Sequence, residues 1–314
     1  MTESLPNRRQ LLTTLAATAG AALLPRVSEA QPKPKAAAPA FIHCLNMSTI
    51  RGQKLGFVKE LEIASKAGFR SVEIWINTLQ DFLNSGGTLA EARKRLDDLG
   101  IKAEQAIGFA QWIVDDEATR AKGLEQMKRE MDQLAQIGCR RIASPPMGAT
   151  QTPGLDLRKA AERYRAILEL GDQSGVVPHL ELWGFSANLN RLSDVMYVAV
   201  ESGHPSARLL LDVYHLYKGK SSLDSLPLVG KPGIEIFHVN DYPSTLSPEV
   251  ITDADRVFPG DGVAPIRRIL QTIRNPERPI VLSLEVFNKN YYAQPAEQVV
   301  QTAMAKMKAM TGGI

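Results

Sequence analysis

Eight times along this chain a short strand-like run is followed by a connection, most of these helical in periodicity, and glycines recur just ahead of the runs. The first four runs are residues 41–46, 70–75, 101–107 and 140–144. The last four end at or near Glu181, Asp212, His238 and Glu285. Helical periodicity occupies residues 55–67, 88–99, 115–137, 157–173, 189–202, 265–273 and 296–310, with a short helical turn near Leu223. Regular alternation of strand and helix implies a parallel sheet. Eight units in a chain of this length close that sheet into a barrel, which takes about 250 residues. The expected fold class is therefore α/β, a single (β/α)8 TIM barrel over residues 41–314, with no second domain.

In such barrels the chemistry sits at the C-terminal ends of the strands. Four successive runs place a metal-capable side chain there. They are Pro178-His-Leu-Glu181-Leu-Trp183, Arg208-Leu-Leu-Leu-Asp212-Val-Tyr-His215, Ile234-Glu-Ile-Phe-His238-Val-Asn-Asp241 and Ile280-Val-Leu-Ser-Leu-Glu285. A single acid at a strand end is more often a loop cap than a ligand. Four in a row on neighbouring strands point to one ion instead. Three carboxylates and an imidazole form a hard donor set, suited to Mn²⁺ first, with Mg²⁺, Co²⁺ or Zn²⁺ as options.

The amino terminus reads differently. Arg8-Arg9 precede a weakly apolar run from Leu11 to Leu24, too short to span a bilayer, and Ser28-Glu29-Ala30 offers a small-residue cleavage site. Residues 1–30 are expected to be a twin-arginine export signal. Residues 31–40, rich in Pro, Lys and Ala, read as a tether. The mature protein is thus expected in the periplasm or outside the cell, exported already folded, with no membrane attachment after cleavage. The full chain carries a net charge of +3, and three arginines against two glutamates in residues 1–30 leave +2. That bias is too weak to argue for nucleic acid. The two cysteines, Cys44 and Cys139, form no framework and are expected to be free, buried thiols.

These motifs, with Asp255-Arg256-Val-Phe-Pro-Gly-Asp-Gly262, resemble the xylose isomerase-like TIM barrels known as sugar phosphate isomerases/epimerases, which include D-tagatose 3-epimerase and hydroxypyruvate isomerase. The resemblance runs from Phe41 to about Met310. It implies that Glu181, Asp212, His238 and Glu285 bind one divalent metal ion, that Glu181 and Glu285 serve as acid and base, and that His215 and Arg256 contact the substrate. The expected partner is a small carbohydrate; a homo-oligomer is left open. Physically, an ion at that point stabilises an enediolate, and a carboxylate beside the α-carbon moves the proton. Glu73, near the end of the second strand, is expected at the same rim, on a sugar hydroxyl or as a loop cap. Trp75, Trp112 and Trp183 are expected as an aromatic wall or as core, with Trp183 the wall residue beside Glu181. His43 has the mouth as one of its two options.

Three other readings are weighed. An endonuclease IV-type nuclease needs further histidines, one directly after the Asp-Arg pair, where this chain has Val257. A lyase or dehydratase acting on keto-sugars, keto-glycosides or inososes uses the same four ligands and cannot be separated by sequence. A sugar-binding barrel without catalysis is disfavoured by the intact pair Glu181 and Glu285.

Overall fold

The computed structural model describes Met1 and residues 39–314. The export signal and most of the tether read from the sequence lie outside the described residues. The eight strands are β1 (Phe41–Asn46), β2 (Ser71–Trp75), β3 (Lys102–Ile107), β4 (Arg141–Ser144), β5 (Val177–Glu181), β6 (Arg208–Asp212), β7 (Ile236–Val239) and β8 (Ile280–Leu284). They pair in parallel and in sequence order, and β1 pairs with β8, so the sheet closes. The expected barrel is what the chain forms. Among the described residues no helix is long and apolar enough to cross a membrane.

The main helices are α1 (Phe57–Lys66), α2 (Ile76–Asn84), α3 (Leu89–Asp98), α4 (Glu117–Gln136), α5 (Leu157–Ser174), α6 (Leu192–Glu201), α7 (Val213–Lys218), α8 (Ile266–Ile273), α9 (Lys289–Tyr292) and α10 (Ala296–Thr311). Where the sequence carries an N-cap it is used. Thr88 and Glu91 form a capping box on α3, and the side chains of Asp116 and Asp156 accept from the first turns of α4 and α5. Helices α2, α7 and α9 were not separated from loop by periodicity. They are short, and α2 follows Trp75 with no side-chain cap to mark its start.

Two polar layers lie inside this frame. Near the strand starts, Arg141 bridges Glu104 (3.2 Å) and Glu235 (2.8 Å), Arg208 binds Glu235 (3.0 Å), and Ser71 donates to Glu104 (3.0 Å). His179 lies fully buried in β5, and burial lowers its pKa to about 3, so it stays neutral. Nearer the strand ends comes the site layer. Between β2 and β3 the register shifts at Val72/Glu73, and this bulge has a definite effect. Adjacent residues of a regular strand point to opposite faces. Here consecutive Glu104 and Gln105 reach Ser71 and Glu73, two residues apart on one face of β2.

The thiols of Cys44 and Cys139 are free and buried, and burial pushes both pKa values up. His43 does not reach the mouth, because its ring bonds Thr311 of α10 at 2.9 Å. Trp112 is fully buried, donates to the Pro145 carbonyl and packs on Tyr164, so it belongs to the core.

Candidate metal centre and cavity

Strand alternation turns Glu181, Asp212, His238 and Glu285 toward the C-terminal mouth. Ligand atoms of Asp212, His238 and Glu285 all lie within 4.8 Å of one another, and all three residues are buried. His238 Nδ1 is 3.3 Å from Glu285 Oε2 and 3.8 Å from Asp212 Oδ2. Glu181 stands outside this triad by the same measure, but it is buried and lines the adjoining cavity. Its Oε2 and His238 Nδ1 have no hydrogen-bond partner. Buried polar atoms are rarely left so, and both are donor atoms a divalent ion would satisfy. The donor set of three carboxylates and one imidazole fits such an ion.

Electrostatics divides the carboxylates. Burial, reinforced by the charges of Glu285 and Glu73 and opposed by His238, pushes Glu181 up to about 8. Burial also acts on Glu285, but His238 and Arg256 overcome it and hold Glu285 well below the usual carboxylate range. Burial lowers the His238 pKa, yet Glu73 and Glu285 outweigh it and raise it well above the ordinary value. For Asp212 burial wins over Arg256, and its pKa rises.

Arg256 is buried and charged. Its Nη1 binds Glu285 (2.7 Å) and approaches Asp212 (3.3 Å), and its Nη2 binds Asp253 and lies 3.2 Å from His215 Nε2. The guanidinium stacks on Tyr214 at 4.2 Å. Its position follows from the loop after β7. An isolated antiparallel bridge joins Asp241 to Val257, and the Asp241 carboxylate accepts from the backbone N–H groups of Tyr242, Gly260 and Ala264. Gly262 completes the clamp, since a Cβ there would lie 2.4 Å from Asp241 Oδ1 and 2.3 Å from the Tyr242 carbonyl. Asp212 Oδ1 accepts from His215 N–H and so caps α7, which sets His215 beside the cavity; burial, then Arg256, keeps its ring neutral.

A cavity of about 260 Å³ opens above these groups. Glu181, His215, Asp253, Arg256 and Glu285 form its polar part, and Trp75, Phe109, Trp183, Phe185 and Phe287 are the aromatic residues of its wall. Glu73 is not at the rim where the sequence reading put it. It is fully buried and does not line the cavity, because Trp75, two residues further along the same face, occupies that place. Its oxygens are engaged by Asn46, Gln105, Ser283 and His238. Of these Asn46, Gln105 and Ser283, and also Asn240 on Asp212 (2.9 Å), escaped the sequence reading. Asn46 ends β1, Asn240 follows β7, and Ser283 lies two residues before Glu285, so strand phase alone could have found these three, though not Gln105.

Comparison with known proteins places the architecture. Inosose isomerase of Bacillus licheniformis is 24% identical over 265 residues, covering 83% of this chain and 94% of the relative. The 3-dehydroshikimate dehydratase of Pseudomonas putida is 28% identical over 254 residues, covering 76% of this chain but 37% of that longer protein. A crystal structure described as IOLI protein with a bound zinc atom superposes with a TM-score of 0.78 at 22% identity, covering 86% of this chain and 98% of the other, a likeness of fold. The description "xylose isomerase-like TIM barrel" matches residues 61–310. Strand order, closure and this match together make the chain a member of the xylose isomerase-like TIM barrel family.

Proposed function

We propose that this protein is a divalent-metal-dependent isomerase or epimerase acting on a sugar or keto-sugar through an enediolate. The observation that carries the reading is the pair Glu181 and Glu285, buried at one cavity beside a triad whose His238 Nδ1 has no protein partner. Glu181, Asp212, His238 and Glu285 would hold the ion, Mn²⁺ in the first instance. Its chemistry is that of a Lewis acid, stabilising negative charge on the enediolate. Glu181, with an oxygen free of hydrogen bonds, takes the proton from the α-carbon. Glu285, fixed by Arg256 and Asn46, handles the second proton. Return to the neighbouring carbon isomerises; return to the same carbon from the other face epimerises. Arg256 and His215 orient the substrate oxygens, and the Arg256 charge stabilises developing negative charge. Trp75 and Trp183 pack on the sugar's C–H faces.

A second reading keeps the enediolate and expels a β-substituent, giving a lyase or dehydratase. The likeness to 3-dehydroshikimate dehydratase favours it. Export would favour substrates without phosphate. The test is a panel of keto-sugars, inososes and keto-glycosides incubated in deuterated water with Mn²⁺ and read by NMR. Solvent deuterium is expected at the α-carbon of an epimerised product and at the neighbouring carbon of an isomerised one, whereas a lyase product has lost the α-hydrogen together with the β-substituent. A bound sugar that never exchanges would leave a binding protein as the better reading.

A further inference from the structure

Glu73 has no place in the proton transfers above, and it makes no contact with the cavity. A carboxylate fully buried behind a candidate ligand, with four partners, needs an account. Asn46 Nδ2 (2.9 Å), Gln105 Nε2 (2.9 Å) and Ser283 Oγ (2.6 Å) donate to it from β1, β3 and β8. They leave the carboxylate aimed at the imidazole of β7, with His238 Nε2 2.9 Å from Oε2 and 3.1 Å from Oε1. A ring nitrogen between two carboxylate oxygens must carry a proton. In the neutral ring the lone pair then falls on Nδ1, the atom that faces Asp212 and Glu285. The same Asn46 amide also donates to Glu285 Oε1 at 3.0 Å. One network therefore fixes two of the four ligand side chains.

We propose that Glu73 is a positioning residue, which selects the His238 tautomer presenting Nδ1 to a divalent ion and, through Asn46, sets Glu285 in register with it. This rests on the reading of Asp212, His238 and Glu285 as an ion site. A carboxylate behind a ligating imidazole orients the ring and raises its basicity. The bulge in β3 is part of the device, because it lets Gln105 close the third side of Glu73.

The experiment measures Zn²⁺ and Mn²⁺ affinity of the chelator-stripped full chain by calorimetry. A glutamine at 73 keeps the shape, but its amide can accept from or donate to Nε2, so neither tautomer is imposed. Glu73→Gln is expected to weaken binding by about 10- to 100-fold. Gln105→Ala, which touches Glu73 but not His238, should lose less than that. A folded Glu73→Gln protein with unchanged affinity, or an equal loss in both variants, overturns the proposal. Should Glu73→Gln fail to fold, ¹⁵N NMR of the zinc-loaded wild type decides. Nε2 protonated with Nδ1 on the metal is expected; Nε2 on the metal overturns it. A wild type that binds neither ion overturns the metal reading as well, whereas absence of deuterium exchange with these affinities intact overturns only the proposed reaction.

Discussion

Glu181 and Glu285 have the same side chain and opposite surroundings, one free of partners on Oε2, the other tied to Arg256 and Asn46. Replacing either by Gln keeps a ligating oxygen and removes the base, so turnover should fall by about 10² to 10⁴ while bound metal is largely kept. Steady-state rates alongside calorimetric titration check this. An epimerase needs both residues, whereas an isomerase or lyase can spare one and still exchange the α-proton. Full turnover in both metal-loaded Gln variants would rule out the proton-transfer scheme. The same residues predict a pH dependence for the metal-free protein. Folded Glu181 keeps its proton up to about 8, against 4.5 for the ordinary carboxyl. The folded state thus holds the extra proton between those values, and this contribution to stability falls as pH rises through that window. His238, raised above 6.5, acts in the same direction, its contribution being lost as pH rises through its folded value. An ion displaces these protons. The melting-temperature gain on adding Mn²⁺ should therefore be larger at about pH 8.5 than at about pH 6; a gain independent of pH would contradict the assignment.

The elements show what could and could not be read beforehand. Strands β5 to β8 were legible because each ends an apolar run in one metal-capable residue. The loop after β7 was legible as a motif, but its clamp was not, because Asp241 works by accepting from Tyr242, Gly260 and Ala264, contacts set by tertiary closure. Glu73 was misplaced at the rim for a similar reason. Its position along β2 was right in phase, but Trp75 stands between it and the cavity. Gln105 was beyond reach, since its inward turn depends on an irregularity in pairing that local sequence does not announce. The clamp itself is testable. Gly262→Ala forces a methyl against the Tyr242 carbonyl and Asp241, and overpacking of this kind costs about 1–3 kcal/mol. Urea denaturation should show that loss, and turnover should fall with it as Arg256 loses its footing. Unchanged stability and turnover would mean that the loop is held elsewhere.

At the scale of the molecule, the barrel is one body over residues 39–314, and residues 1–30 are proposed to act before it reaches its destination. Fused to a folded reporter, that segment should direct export, and Arg8→Lys with Arg9→Lys should block it. The exported chain should begin at Gln31, as N-terminal sequencing would show; export indifferent to the two arginines would exclude this route. Within the body, the ion-paired layer at the strand starts and the ligand layer at the strand ends are phased to each other by the bulge facing Val72/Glu73. That makes one extra residue in β3 a genetic frame-keeper for the whole interior. Loss of the codon for residue 104 would straighten the strand. Glu104 would go with it, leaving Arg141 only Glu235 and Ser71 without its acceptor, and Gln105 would follow Ala103 directly in the pairing opposite Val72 and Glu73. Insertions and deletions are ordinarily absorbed by the loops of a barrel, and here a strand should be as intolerant of them as the ligands are of substitution.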